Sequence, residues 1–350
     1  MKDESPTRVA IACQGGGSHT AFTAGVLQEL VCNVPDDVEI VALSGTSGGA
    51  ICATLAWDGL VRRDPKRAAS MLQAFWTSMA ATETWDRAAN QALMTVMSLR
   101  DHMVLPEVSP YRLPTWGEDR LRSTLLEYFD FPELRELARR QGAPALQIGA
   151  VEVLSGHFEI FTGPEICVEF LLASAAIPEF FRAVSVPGRG VYWDGLFSQN
   201  PPIRDLLVHQ IDELWVIQIN STTCARVPTE PHEILDRRNE LAGNLSMMQE
   251  LHFIQAINRA LAAGTLTQSK YRPIHVEHIA LDRELDYRSK LDRSPELLTD
   301  LREYGRVKWR WFAREREAKM AVFESFRSRE DGAGATAPKI LDVGDYVEAR

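Results

Sequence analysis

The chain has 350 residues, 45% hydrophobic and 25% charged, a globular composition long enough to bury a core without disulfide staples. With 38 Lys plus Arg against 48 Asp plus Glu the net charge is −10, which argues against nucleic acid as a partner. Five scattered cysteines (Cys13, Cys32, Cys52, Cys167, Cys224) without a C-x-x-C pair argue against a disulfide framework or zinc cage. The polar start Met1–Pro6 and the lack of a long apolar run predict a cytoplasmic protein.

Val9–Cys13 is an apolar run stopped by Gln14-Gly15-Gly16-Gly17. Ala21, Phe22, Gly25, Val26, Leu27 and Leu30 then recur at helical spacing, which reads as strand, glycine loop and helix. Glu39–Leu43 is a second buried strand, and beyond Gly45-Thr46-Ser47-Gly48-Gly49 the stretch Ala50–Trp57 reads as a second helix. Two successive strand-to-helix crossings predict an α/β fold on a mostly parallel sheet with helices on its faces. Residues 58–141 read as a helical insertion interrupted by Pro106, Pro110 and Pro114. Strands are expected at Leu146–Val153 and His157–Phe161, then a helix over Pro164–Ala175 and a short strand ending at Tyr192-Trp193. Further strands are expected at Leu214–Ile219 and Ile274–Leu281, with long helices over Pro231–Ala262 and Pro295–Phe326. The Gly/Ala-rich stretch after Ser328 reads as a flexible tail.

Three features carry chemistry. Gly45-x-Ser47-x-Gly49 between a strand and a helix has the context of a nucleophile elbow, in which a strained turn presents the serine hydroxyl above a helix N-terminus; a plain Gly/Ser-rich turn is the alternative. The amides of Gly15, Gly16 and Gly17 open a helix and can converge on an anion, the oxyanion of an acyl transfer. The rival is a dinucleotide loop, Gly15-x-Gly17-x-x-Thr20 with Asp36 or Asp37 downstream, which lacks its third glycine. A nucleotide-binding oxidoreductase built on that loop would leave Ser47 without a role. The third feature is Asp194-Gly195, a carboxylate at a strand end followed by Asn200-Pro201-Pro202.

Together the three resemble the patatin-like phospholipase family, whose glycine loop, G-x-S-x-G and Asp-Gly/Ala occur in this order. Ala173-Ser174-Ala175-Ala176-Ile177-Pro178 is similar to the family's approach to its aspartate. The resemblance spans about residues 8–205. The region after 205, with Gly243-Asn244-Leu245-Ser246, is similar to the C-terminal part of some bacterial members. The family's commonest loop is Asp/Gly-Gly-Gly-Gly-x-Arg/Lys-Gly; here Gln14 opens it, as in one bacterial branch, and His19 stands at the basic position.

The resemblance implies a three-layer fold with a catalytic core over 8–205 (insertion 58–141), a C-terminal α/β extension over 206–328 packed on the core, and a tail over 329–350. It also implies a Ser47–Asp194 dyad, an oxyanion hole at Gly15, Gly16 and Gly17, and elbow glycines Gly45 and Gly49. His19 is an auxiliary group or alternative base. The expected activity is hydrolysis of fatty-acyl esters of (phospho)lipids through an acyl-enzyme. A lysophospholipase, an acyl thioesterase and a non-catalytic lipid-binding protein are the alternatives. No cofactor or metal is expected: no EF-hand loop is present, and His275 and His278, three apart in a strand, point to opposite faces. Partners are a lipid or acyl-ester substrate and, given the net charge, at most a local peripheral membrane contact. Met94, Met97, Met103 and Trp116 of the insertion are candidates for an acyl-chain wall or for core packing. Arg306–Phe312 reads as a docked helix, with lipid contact as the alternative.

Overall fold

In the computed structural model, residues 5–102, 108–266 and 272–330 are described. Strand β1 (Thr7–Cys13) leads through the glycine loop into α1 (Ala21–Cys32), and β2 (Val38–Gly45) through the Ser47 turn into α2 (Gly48–Arg62). The insertion follows as α3 (Pro65–Met79), α4 (Thr84–His102), α5 (Trp116–Tyr128) and α6 (Phe131–Ala138). After it come β3 (Ala145–Glu152), β4 (Phe158–Thr162), α7 (Val168–Ser174), β5 (Val184–Val186) and β6 (Gly190–Asp194). The chain then forms β7 (Glu213–Gln218), α8 (Pro231–Ala262), β8 (His275–Ala280) and α9 (Pro295–Glu330).

One sheet in the order β5-β6-β3-β2-β1-β7-β8 runs through the protein, with β4 paired to β3 off that path. The β3-β2-β1-β7-β8 stretch is parallel, whereas β4, β5 and β6 are joined by antiparallel pairings. Continuous apolar runs such as Val9–Cys13 suit this position, because parallel strands are covered on both faces. Alternation assigns the two faces. Ala10, Ala12, Ala42, Leu214 and Val216 pack with Met247, Leu251 and Ile254 of α8. On the other face Trp215 meets Trp309 of α9 with ring centroids 5.6 Å apart, and Phe22 of α1 meets Tyr304 at 5.8 Å. Both tryptophans are fully buried, and each such side chain contributes on the order of 2 kcal/mol. This is the expected three-layer α/β fold.

Helix starts in the insertion follow local chemistry. Asp64 and Asp130 each accept a bond from the backbone N–H three residues on, with proline in the first turn. Buried Asp86 of α4 pairs with Arg120 of α5 at 2.9 Å and with Arg293 at 2.5 Å, which fastens the insertion to the segment before α9.

Two elements differ from the sequence expectation. The helix expected over Pro164–Ala175 is a 3-10 turn at Gly163–Glu165 followed by α7, because Cys167 adopts an extended conformation and restarts the helix. Strand β5 was not anticipated: three residues are too short for a periodic pattern, and Pro187-Gly188, with Gly188 at φ 75°, turns it back onto β6. Residues 1–309 form one compact unit and 310–350 a second, whose described part is helical. Most of the expected tail, from residue 331, lies outside the described residues. Among the described residues no helix is long and apolar enough to cross a membrane.

Candidate active site

Ser47 sits between the last residues of β2 and the first turn of α2 at φ 57°, ψ −132°, a region that L-residues avoid and that surrounding structure must enforce. Three contacts enforce it. The Ser47 N–H donates to Ser174 Oγ (2.9 Å), whose hydroxyl donates to the Gly149 carbonyl (2.7 Å), and Thr46 Oγ1 donates to the Gln199 carbonyl (2.6 Å). The turn also requires Gly45 and Gly49. A Cβ on Gly45 would lie 2.6 Å from the Gly49 backbone, and one on Gly49 would lie 2.4 Å from the Cys13 carbonyl. Ser47 is thus 7% exposed, at the positive end of α2.

The glycine loop is anchored at its first residue. Gln14 Oε1 accepts the N–H groups of Ile219 and Asn220, both at 2.8 Å, and its Nε2 donates to Asn244 Oδ1 (2.8 Å) of α8. The Gly15 N–H donates to Asn200 Oδ1 at 2.7 Å. That amide is therefore engaged, whereas among the described residues the N–H groups of Gly16 and Gly17 have no hydrogen-bond partner. Of the three loop amides expected to receive an oxyanion, two are open.

Asp194 ends β6, registered opposite Ala150 of β3, and is fully buried. Its Oδ1 accepts the Leu196 N–H at 2.8 Å, and Oδ2 has no hydrogen bond. Burial pushes the carboxyl up to about 7; the Leu196 amide and the Ser47 hydroxyl pull it down, and the charge of Glu179 adds to the rise. The buried carboxyl thus keeps one oxygen without a hydrogen bond in a cavity that it shares with the Ser47 hydroxyl.

Ser47, Asp194, Gly15, Gly16 and Gly17 line one cavity of about 110 Å³, walled by Ile177, Phe180, Leu196, Phe197 and Leu291. It has room for an ester and the start of an apolar chain rather than for a whole lipid. A larger cavity of about 680 Å³ adjoins it, and Asn220, Tyr287 and Lys290 line both.

His19 faces that larger cavity, its Nε2 bonded to Ser289 Oγ at 2.7 Å. Burial, reinforced by the charge of Lys290 and opposed by that of Asp286, lowers its pKa to about 3, so it is neutral at ordinary pH. Among the described residues none of the insertion lines the Ser47 cavity: Met94 lines a separate depression with Asp292, Met97 is half-buried outside the cavity, Trp116 is 79% exposed, and Met103 lies outside the described residues. On α9, Arg306 is paired with Glu29 and Glu303, and Lys308 with Asp282. His275 and His278 bond Glu277 and Gln218 separately, and no metal-binding cluster occurs among the described residues.

A family model, patatin-like phospholipase, matches residues 11–207, nearly the span of the motif resemblance. The chain belongs to the patatin-like phospholipase family. A comparison with curated proteins finds no match. Among solved structures, the chain is similar to VipD from Legionella pneumophila at 14% identity and TM-score 0.43, over 88% of this chain and 66% of that one. It is also similar to full-length ExoU, in complex with full-length SpcU of the Pseudomonas aeruginosa type III secretion system, at 16% identity and TM-score 0.26, over 70% of this chain and 51% of that one. The chain thus spans about half to two thirds of the length of these structures.

Within the family motifs, two roles were not readable from sequence. Ser174 lies in the Ala-Ser-x-Ala-x-Pro stretch and Asn200 in Asn-Pro-Pro, yet their bonds to the elbow and the loop arise from folding. Lys290 and Tyr287 carry no local motif at all.

Proposed function

We propose that the protein is a serine acyl hydrolase acting on fatty-acyl esters through Ser47 and Asp194. One observation carries this reading: a buried carboxylate with an unbonded oxygen faces a serine on a strained turn, inside a cavity that also receives two open backbone amides. Asp194 accepts the proton as Ser47 Oγ attacks the ester carbonyl. The tetrahedral oxyanion is met by the N–H groups of Gly16 and Gly17, with the positive end of α2 behind it. Collapse expels the alcohol, which takes the proton back from Asp194. Water, deprotonated by the same carboxylate, then releases the fatty acid from the acyl-enzyme.

Aspartate is a weaker base than imidazole, and its elevated pKa narrows that gap. Gly15 acts structurally in this scheme, its N–H turned to Asn200. Active-site labelling with a fluorophosphonate probe tests the assignment. Wild type should label, Ser47→Ala should not, and Asp194→Asn should label at least about a hundredfold more slowly. An unlabelled wild type, or a labelled Ser47→Ala, overturns it.

A further inference from the structure

Helix α8 has two apolar sides, and the fold covers one of them. Met247, Leu251 and Ile254 pack on the sheet, and Asn244 holds Gln14. On the outward side Ile234, Leu241, Leu245 and Met248 recur at intervals of seven, four and three residues, which stacks them along one line of the helix. These four are 48–59% exposed, and Leu235 and Phe253, also exposed, flank them. From Ile234 to Phe253 the stripe is about 28 Å long. A contiguous run of large apolar side chains left in water marks an interaction surface.

The charges of α8 are sorted in the same way. Its carboxylates are all engaged away from the stripe: Glu233 pairs with Arg226, Glu240 pairs with Arg237, Asp236 accepts the Tyr287 N–H, and Glu250 accepts the N–H groups of Ile203 and Arg204. Arg238 and Arg259 lie on the line of the stripe and are exposed, and among the described residues neither guanidinium has a hydrogen bond or an ion pair. In a chain of net charge −10, this face carries cations and no carboxylate of its own helix. Salt screens charges beyond about 10 Å, so these local cations outweigh the distant net charge for whatever touches the stripe.

The stripe also reaches the mouth of the Ser47 cavity. Asn239 and Ala242 of α8 line that cavity together with half-exposed Phe197. Leu235 precedes Asn239 by one turn and Leu245 follows Ala242 by three residues, so the apolar rim of the mouth runs on into the stripe. The cavity, about 110 Å³, takes an ester and the start of one chain, which leaves the rest of a lipid outside the protein. A bilayer holds that remainder beside an apolar rim. A second copy of the same face would instead set Arg238 and Arg259 against like charges.

We propose that the outward face of α8 is a docking surface for an anionic lipid bilayer. Ile234, Leu241, Leu245 and Met248 enter the boundary between head groups and acyl chains, Arg238 and Arg259 meet lipid phosphates, and the mouth of the Ser47 cavity opens onto the membrane. The surface rests on the hydrolase reading only for what it delivers, an ester to Ser47. A guanidinium on a long apolar stem can lie along the leucines and still reach the phosphates.

The test is flotation of the full chain with vesicles of ether-linked lipids, which hold no ester to hydrolyse. One set is phosphatidylcholine alone, and the other is equal parts phosphatidylcholine and phosphatidylglycerol. Wild type should bind the anionic vesicles about tenfold more tightly than the zwitterionic ones. Arg238→Gln with Arg259→Gln should remove that preference, and Leu241→Ser with Leu245→Ser should weaken binding to both sets about tenfold. The four side chains are exposed, so both double variants should keep the wild-type circular dichroism and hydrolyse soluble p-nitrophenyl butyrate within about twofold of wild type. Absence of vesicle binding, equal binding to the two compositions, or binding that neither variant alters overturns the proposal. So does a wild-type dimer in sedimentation that Leu241→Ser with Leu245→Ser turns into a monomer, because a second copy then covers the stripe. Binding that depends on the leucines and arginines, with no butyrate hydrolysis by wild type, keeps the docking surface and removes the hydrolase; hydrolysis without vesicle binding does the reverse.

Discussion

The Gly15 amide donates to Asn200 Oδ1 at 2.7 Å, so a residue just after the last strand of one motif holds the loop of another, far away in sequence. Asn200 is itself fixed, donating through Nδ2 to the Gly243 carbonyl (3.2 Å) and through its N–H to Ser246 Oγ (3.0 Å) of α8. Asn200→Ala should therefore release the loop. We expect a fall in kcat of about 10- to 100-fold with KM changed little, and a stability loss of about 1–3 kcal/mol from the unpaired buried amide. Ester kinetics and urea unfolding measure both, and unchanged kcat would mean that the loop holds its shape without this bond.

Ser174 joins the Ser47 turn to β3 through two bonds. Ser174→Ala leaves the Ser47 N–H and the Gly149 carbonyl without that link and should cost about 1–3 kcal/mol. Because Ser47 sits in an avoided backbone region, relaxation of the turn should also slow fluorophosphonate labelling by about tenfold or more. A variant that melts earlier but labels at the wild-type rate would assign Ser174 to stability alone.

Asp194 links activity and stability to pH with opposite signs. In the proposed dyad its carboxyl must be ionised to accept the Ser47 proton, so kcat/KM should rise with pH and level off above about 7. The folded-state pKa is raised from 3.8, so between 3.8 and about 7 the folded protein binds more proton than the unfolded chain. Stability from this group therefore declines as pH rises across that window, by at most about 4 kcal/mol. Chemical denaturation of wild type and Asp194→Asn from pH 4 to 8 checks the sign, since the variant should lack this slope. A wild type no more pH-sensitive than the variant would contradict the raised pKa.

His19 is neutral, bonded to Ser289 and directed into the larger cavity. His19→Gln, which keeps a polar side chain of similar reach, should retain ester hydrolysis within about threefold with the same pH midpoint. A loss of about a hundredfold would make His19 the base in place of Asp194.

The elements nearest the chemistry were legible because their signals are local. A strand, a glycine-rich turn and a helix start are set by residues a few positions apart, so β1, β2, the Ser47 elbow and the Asp194 turn were readable as a set. Other signals were ambiguous at the same range. Pro164 opens a 3-10 turn rather than a long helix, and β5 is held by pairing to β6 rather than by its own pattern. The glycine run alone could not say which amides are open, because Gly15 is engaged by Asn200.

What the sequence by itself determined is the order of chemistry-bearing turns along an α/β chain, since backbone strain and strand periodicity are short-range properties. Only the tertiary structure decided which groups meet: that Asp194 is buried beside Ser47 with one oxygen unbonded, that His19 turns away, and that Lys290 stands between the two cavities. Burial, and with it the pKa and hydrogen-bond state of each group, depends on everything that surrounds a side chain, and those surroundings come from segments far apart in the chain.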